Sequence, residues 1–332
     1  MKRVLWCFLI AAMLLPAGSA PAGESDVTLG RLNRSIHYDH LRLDFWMRSR
    51  GRSHRCFVIL PIPVEPDADR EELNEIDIDA FIQEEQRDWF WLSPTRHDVE
   101  THDNALPNRW HAWYFGRLFD AGAVIAGVEI GHKWGNPAGR RLYTNFYHTV
   151  TDQFNLKPRT NLLAQGIGGL DAYNWAADHP DKVRSIAGIY PVTQIRLDSF
   201  FARVYDLSGN QDPEENLRAL RENFQDHNPQ DRLEPLAKAG VRIAHVHGSE
   251  DRNVPPITHT IPLVLRYREL GGDADAIIVR GKRHGPSDMI FESRRFLRFL
   301  LEQVGEPELL DPDEPEDDTK NDTKQESDEE DE

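Results

Sequence analysis

From Ala123 to Gln303 the chain alternates short apolar runs with longer stretches whose apolar residues recur at helical spacing. The runs are Ala123–Val128, Thr160–Gln165, Ser185–Tyr190, Val241–His247 and Ala276–Val279. A short uninterrupted apolar run bounded by turn residues suits a strand buried on both faces. Helical patterns cover 142–154, 167–179, 256–270 and 288–303, with a mixed helical segment over 193–239. Strands alternating with helices predict the α/β class, a mostly parallel sheet covered by helices on both faces. In such a sheet the reactive groups gather at the carboxyl ends of the strands.

Ahead of this alternation, Ile36–Met47 and Arg55–Leu60 are β-rich and joined by the polar stretch 48–54, which predicts an opening hairpin. Trp110–Asp120 carries aromatics at helical spacing and ends at Ala121-Gly122, a helix stop. The charged segment from Val64 to Asn108 offers no clear periodicity. There is no internal repeat and no phosphate-binding Gly-Lys-Ser/Thr loop, and Gly166-Ile167-Gly168-Gly169 lacks the spacing of a dinucleotide fingerprint. No cofactor is therefore expected.

The 332 residues suit one domain flanked by two segments of different character. Met1-Lys2-Arg3, the apolar stretch Val4–Leu15 and the small residues ending at Ala22 have the three zones of a secretory signal peptide. That stretch is too short to span a bilayer, and Ala20-Pro21-Ala22 offers a cleavage pattern, so the expected mature protein is secreted or periplasmic and has no membrane span. Cys7 falls within this leader, which leaves Cys56 alone in an apolar strand pattern, suited to a core position and unable to form an internal disulfide. Residues 305–332 hold fifteen Asp and Glu against two Lys, so they carry −13 of the formal net charge of −17. That composition predicts a solvated, disordered acidic tail, and the near-neutral remainder argues against a nucleic-acid partner.

Three loops at the ends of predicted strands carry the chemistry. Thr160–Gln165 runs into Gly166-Ile167-Gly168-Gly169, Val241–His247 runs into Gly248-Ser249-Glu250-Asp251-Arg252-Asn253-Val254-Pro255, and the last strand runs into Gly281-Lys282-Arg283-His284-Gly285. In that order they resemble the nucleophile elbow, the acid loop and the histidine loop of the α/β-hydrolase superfamily, whose elbow reads G-x-S-x-G. Ala164 and Gly168 fill the small flanking positions, but Gly166 stands where the serine belongs. The similarity covers roughly residues 30–304 and is strongest to secreted bacterial serine-hydrolase-like proteins. Its other marks are Arg109-Trp110, the Gly135-Asn136-Pro137 loop, and Asn174-Trp175-Ala176 followed by Pro180 and Val183.

The resemblance implies a single domain over residues 23–304, with a helical lid at about 193–239. It also implies Asp251 as histidine orienter, His284 as general base and the Ile167 backbone N–H as oxyanion donor, with a second donor from the loop after Leu60. Trp110, His132 and Trp134 are pocket candidates. A hydroxyl is needed beside the imidazole for covalent attack, and glycine supplies none. The leading expectation is a catalytically impaired homologue that retains a pocket for a small-molecule, ester, peptide or sugar-derived ligand. The alternative is an active hydrolase in which the His284/Asp251 pair activates water or an unrecognised nucleophile. Ser249 and Ser287 are the nearby hydroxyls, Ser287 being placed as the N-cap of the last helix. His245 and His247 share a strand face, but no third ligand accompanies them, so no metal is expected.

Overall fold

A computed structural model of the chain describes residues 32–93, 107, 109–131, 133–198 and 212–310, together with 201, 203, 205 and 207. The expected signal peptide at 1–22, the acidic residues 311–332 and the pocket candidate His132 lie outside the described residues. Nine strands form one sheet: β1 (Asn33–His37), β2 (His40–Ser49), β3 (Arg52–Pro63), β4 (Trp89–Ser93), β5 (Val124–Val128), β6 (Thr160–Gln165), β7 (Val183–Ile189), β8 (Arg242–Gly248) and β9 (Ala274–Val279). Their spatial order is β1-β2-β3-β5-β4-β6-β7-β8-β9. The first three strands are antiparallel, β3 meets β5 antiparallel, and the remaining six run parallel.

The helices divide between the two faces. On one face lie α4 (Pro137–Gln153), α5 (Gly168–Asp178) and α8 (Thr260–Glu269), meeting Trp89, Trp91, Leu162, Ile186 and Ile243. On the other lie α3 (Ala112–Asp120) and α10 (Arg294–Val304), meeting Phe90, Leu92, Leu163, Ile189 and Val246. Alternate residues of each central strand thus enter opposite cores, which is why the strands read as uninterrupted apolar runs. At the centre of the first core the Trp91 ring sits 4.5 Å from Tyr143, 4.8 Å from Trp175 and 5.1 Å from Phe146.

Two short helices, α1 (Arg70–Glu75) and α2 (Ile78–Glu84), precede β4 and begin at Asp69 and Asp77, whose carboxylates accept N–H groups of the first turn. The stretch without clear periodicity therefore holds ordinary capped helices and a central strand. The helix expected over 142–154 starts five residues earlier, because Asn136 caps it and Pro137 occupies its first position. The helix expected over 288–303 is broken into α9 (Asp288–Phe291) and α10, with Ser293 capping the second. The chain stays docked beyond the expected domain end, since Leu310 is buried in the second core.

Strand order has a direct consequence for the site. From β4 the chain crosses by α3 to β5 on one side, and from β6 it crosses by α5 to β7 on the other. The direction reverses between β4 and β6, and a crevice outside the carboxyl ends of the strands opens at such a reversal. Ser93 pairs in register with Ala164, so the reversal falls beside Gly166.

Candidate functional site

The turn after β6, at the position expected for the elbow, is tight and left-handed at its centre. Gly166 takes φ +50°, its N–H donates to Ile189 O at 3.0 Å, and its carbonyl accepts Val192 N–H at 2.7 Å and Gly169 N–H at 3.1 Å. Positive φ is costly for most L-residues and free for glycine. Gly169 also needs to be glycine, because a Cβ there would strike the Val192 carbonyl oxygen. The elbow is thereby pressed against the chain leaving β7. Ile167 begins α5 with no side-chain cap, and among the described residues its N–H has no acceptor.

The acid and histidine loops converge through backbone contacts. Glu250 N–H donates to Lys282 O and Gly281 N–H to Ser249 Oγ, both at 2.9 Å. A Cβ on Gly248 would collide with the Lys282 carbonyl, so that glycine permits the loops to touch. Asp251 is buried, and its Oδ2 accepts from His284 Nδ1 at 2.7 Å. Its Oδ1 accepts the N–H groups of Asn253 at 2.9 Å and Val254 at 2.8 Å. Burial alone would raise the Asp251 carboxyl, but hydrogen bonds from His247, His284 and Val254 outweigh it and hold the group well below the usual carboxylate range. Asp251 is therefore a fixed anion beneath a half-exposed imidazole.

Tyr190, which composition did not single out, connects elbow and histidine. It follows β7 at φ 37°, its hydroxyl accepts Gln165 Nε2 at 2.7 Å, and its ring centre lies 4.7 Å from that of His284. No sequence signal distinguishes this tyrosine from the other buried ones. Its place depends on β7 lying beside β6, with Gln165 opposite Ile189.

The remaining candidates fall in different places. The residues after Leu60 lie away from Gly166: β3 is antiparallel to β5, with Cys56 opposite Val128 and Ile59 opposite Ile125, so its carboxyl end lies at the end of the sheet where the parallel strands begin, not where the expected oxyanion donor would stand. The strand whose carboxyl end reaches the turn at Gly166 is β4, with Ser93 opposite Ala164. Trp110 is half-buried, with its ring 6.1 Å from Phe291. Trp134 packs 5.7 Å from Phe201, in an apolar cluster that includes Leu170 and the partly buried Ile167.

That cluster joins the elbow helix to the segment between β7 and β8. This segment contains α6 (Pro213–Glu222) and α7 (Glu234–Lys238), and it is tied down where Asn228 Oδ1 accepts Ile195 N–H and Arg232 donates to Asn174 O, each at 3.0 Å. Ser287 occupies the position before α9 but makes no capping bond; its Oγ is buried without a partner among the described residues. His245 and His247 both contact Thr260 Oγ1, and among the described residues no group of three or more His, Cys, Asp or Glu is placed to hold a metal ion. Among the same residues no helix is long and apolar enough to cross a membrane.

The strand order, crossovers and loop positions define an α/β-hydrolase fold. Solved structures agree. Est1E from Butyrivibrio proteoclasticus superposes with a TM-score of 0.52 at 14% identity, covering 79% of this chain and 98% of that one. A puromycin-hydrolyzing peptidase of Mycobacterium tuberculosis gives 0.55 at 14% identity over 82% of this chain, which spans only 41% of the peptidase. An S-formylglutathione hydrolase from Agrobacterium tumefaciens gives 0.51 at 14% identity, covering 84% and 99% respectively. No family model matches the chain, and no curated protein matches its sequence.

Proposed function

We propose that this is an exported α/β-hydrolase-fold protein that has lost covalent catalysis and keeps a ligand pocket at the elbow. The observation that carries this reading is Gly166 at the turn after β6, where no hydroxyl is available, while His284 and Asp251 remain hydrogen-bonded at 2.7 Å. Without an oxygen to deprotonate, the imidazole cannot generate an acyl-enzyme. In subtilisin, a worked case of this chemistry, loss of the serine alone lowers kcat by a factor on the order of 10⁶. The charged, apolar and small-residue zones of residues 1–22 support export. The segment between β7 and β8, packed on Ile167 and Leu170, supports a lid over the pocket.

A second reading draws on the space at Gly166 and the unclaimed Ile167 N–H, which together suit a water activated by His284 with the oxyanion held at the helix start. One comparison separates the two. Full-length mature protein is assayed against feruloyl esters, S-formylglutathione and aminoacyl amides, classes suggested by the neighbouring structures. His284→Ala and Gly166→Ser are run alongside. The impaired reading expects activity in Gly166→Ser only. Turnover by the wild type that disappears in His284→Ala overturns it in favour of activated water.

A further inference from the structure

We propose that His247 is a positioning residue for Asp251 and the end of a buried hydrogen-bond chain through Thr260 whose proton direction the fold dictates. The chain runs Tyr173–His245–Thr260–His247, and all four side chains are buried. Tyr173 Oη lies 2.7 Å from His245 Nε2, and Thr260 Oγ1 lies 3.1 Å from His245 Nδ1 and 2.8 Å from His247 Nδ1. His247 Nε2 then lies 2.6 Å from Val254 O and 3.3 Å from Asp251 Oδ2.

Valence settles the direction from one end. The Val254 carbonyl can only accept, so His247 carries its hydrogen on Nε2. A neutral imidazole has one N–H, so His247 Nδ1 must accept, and the donor in reach is the Thr260 hydroxyl. That hydroxyl has one hydrogen, so its lone pair receives His245 Nδ1–H. His245 Nε2 is left to accept the Tyr173 hydroxyl. Burial, followed by the influence of His247 and His259, pushes His245 down to about 3, in keeping with a neutral ring.

The far end of the chain meets the acid loop. His247 Nε2–H is shared between Val254 O and Asp251 Oδ2, the same oxygen that receives His284 Nδ1–H. With both backbone donors on Oδ1, the carboxylate has no freedom to rotate. His284 is held as the Nδ1–H tautomer, and its Nε2 stays open to take a proton. What His284 then acts upon rests on the function proposed above, but the proton arrangement does not.

The test is long-range ¹H–¹⁵N NMR of the histidine side chains in the full-length protein at a pH where the rings are neutral. The expected pattern is Nδ1–H for His245, Nε2–H for His247 and Nδ1–H for His284. Thr260→Ser keeps the hydroxyl and retains the pattern, whereas Thr260→Val removes the acceptor of His245 Nδ1–H and leaves that ring only the Tyr173 hydroxyl, which donates or accepts equally, so the single His245 tautomer becomes a mixture. A His247 protonated on Nδ1 or on both nitrogens overturns the proposal, as does an unchanged His245 in folded Thr260→Val. If Thr260→Val does not fold, the wild-type and Thr260→Ser patterns still decide. No turnover is needed for this readout, so an inactive wild type leaves it intact, and failure of Gly166→Ser to gain activity bears only on the function.

Discussion

Among the described residues, Tyr190 Cε2 is the one atom within 4 Å of the point where a Cβ on Gly166 would lie, at 3.9 Å. A serine side chain therefore has room, and only the backbone resists it. A non-glycine residue at positive φ costs roughly 1–2 kcal/mol. Gly166→Ser is expected to lower unfolding free energy by about that amount in urea titrations. It is also expected to gain fluorophosphonate labelling, and Gly166→Ser/His284→Ala is expected to lose it. Labelling of the wild type would mean that another nucleophile operates.

Asp171 gives a stability that depends on pH. It lies buried in the first turn of α5 and accepts the Gly135 N–H at 2.7 Å. Burial raises its carboxyl to about 7, against the opposing pull of the Gly135 N–H and of Lys133. The unfolded chain releases this proton near 4 and the folded protein near 7, so folding stability falls as pH rises through that window. Asp171→Asn keeps the acceptor and removes the charge. The wild type should lose on the order of 4 kcal/mol relative to Asp171→Asn between pH 4 and pH 7, taking about 1.4 kcal/mol per pH unit. Parallel stability curves for the two proteins across this range would refute it.

Trp91 is fully buried at the centre of the first core, ringed by Tyr143, Trp175 and Phe146. Truncating such a side chain leaves a cavity that the neighbours fill only in part. Trp91→Ala should cost roughly 3–5 kcal/mol of unfolding free energy. A loss below about 1 kcal/mol, the range of mutations outside packed cores, would show that β4 is not packed as described.

Two glycine-to-alanine changes should have opposite signs. In Gly169→Ala the new methyl meets the Val192 carbonyl, and overpacking of this kind costs about 1–3 kcal/mol. Gly116 lies in α3 with nothing within 4 Å of its missing Cβ, and alanine there should stabilise by roughly 0.5–1 kcal/mol. Thermal denaturation of the two variants beside the wild type checks both signs at once.

Legibility in the sequence followed the range of the interactions concerned. The strand Thr160–Gln165 matches its expected bounds, because a buried strand between turn residues announces itself locally. β4 escaped notice, since its five residues, Trp89–Ser93, sit among charged neighbours and become central only by pairing with β5 and β6. The expected neighbour of the Gly166 turn was missed for the same reason: whether β3 or β4 points its carboxyl end at Gly166 depends on strand direction in the assembled sheet. Tyr190, Thr260 and His247 carry no motif, and their parts arise from contacts between elements distant in the chain.

The sequence by itself determined the α/β class, the order of the three loops that close β6, β8 and β9, and the absence of a hydroxyl at position 166, because periodicity, turn chemistry and residue identity are local. Only the tertiary structure decided that the crossover direction reverses beside Gly166 and that Asp251 Oδ2 meets His284 across 33 positions of chain. It alone also shows His247 within 3.3 Å of that same oxygen. These relations depend on strand order and register, which are set by which apolar faces can be buried together. No window of neighbouring residues contains that information.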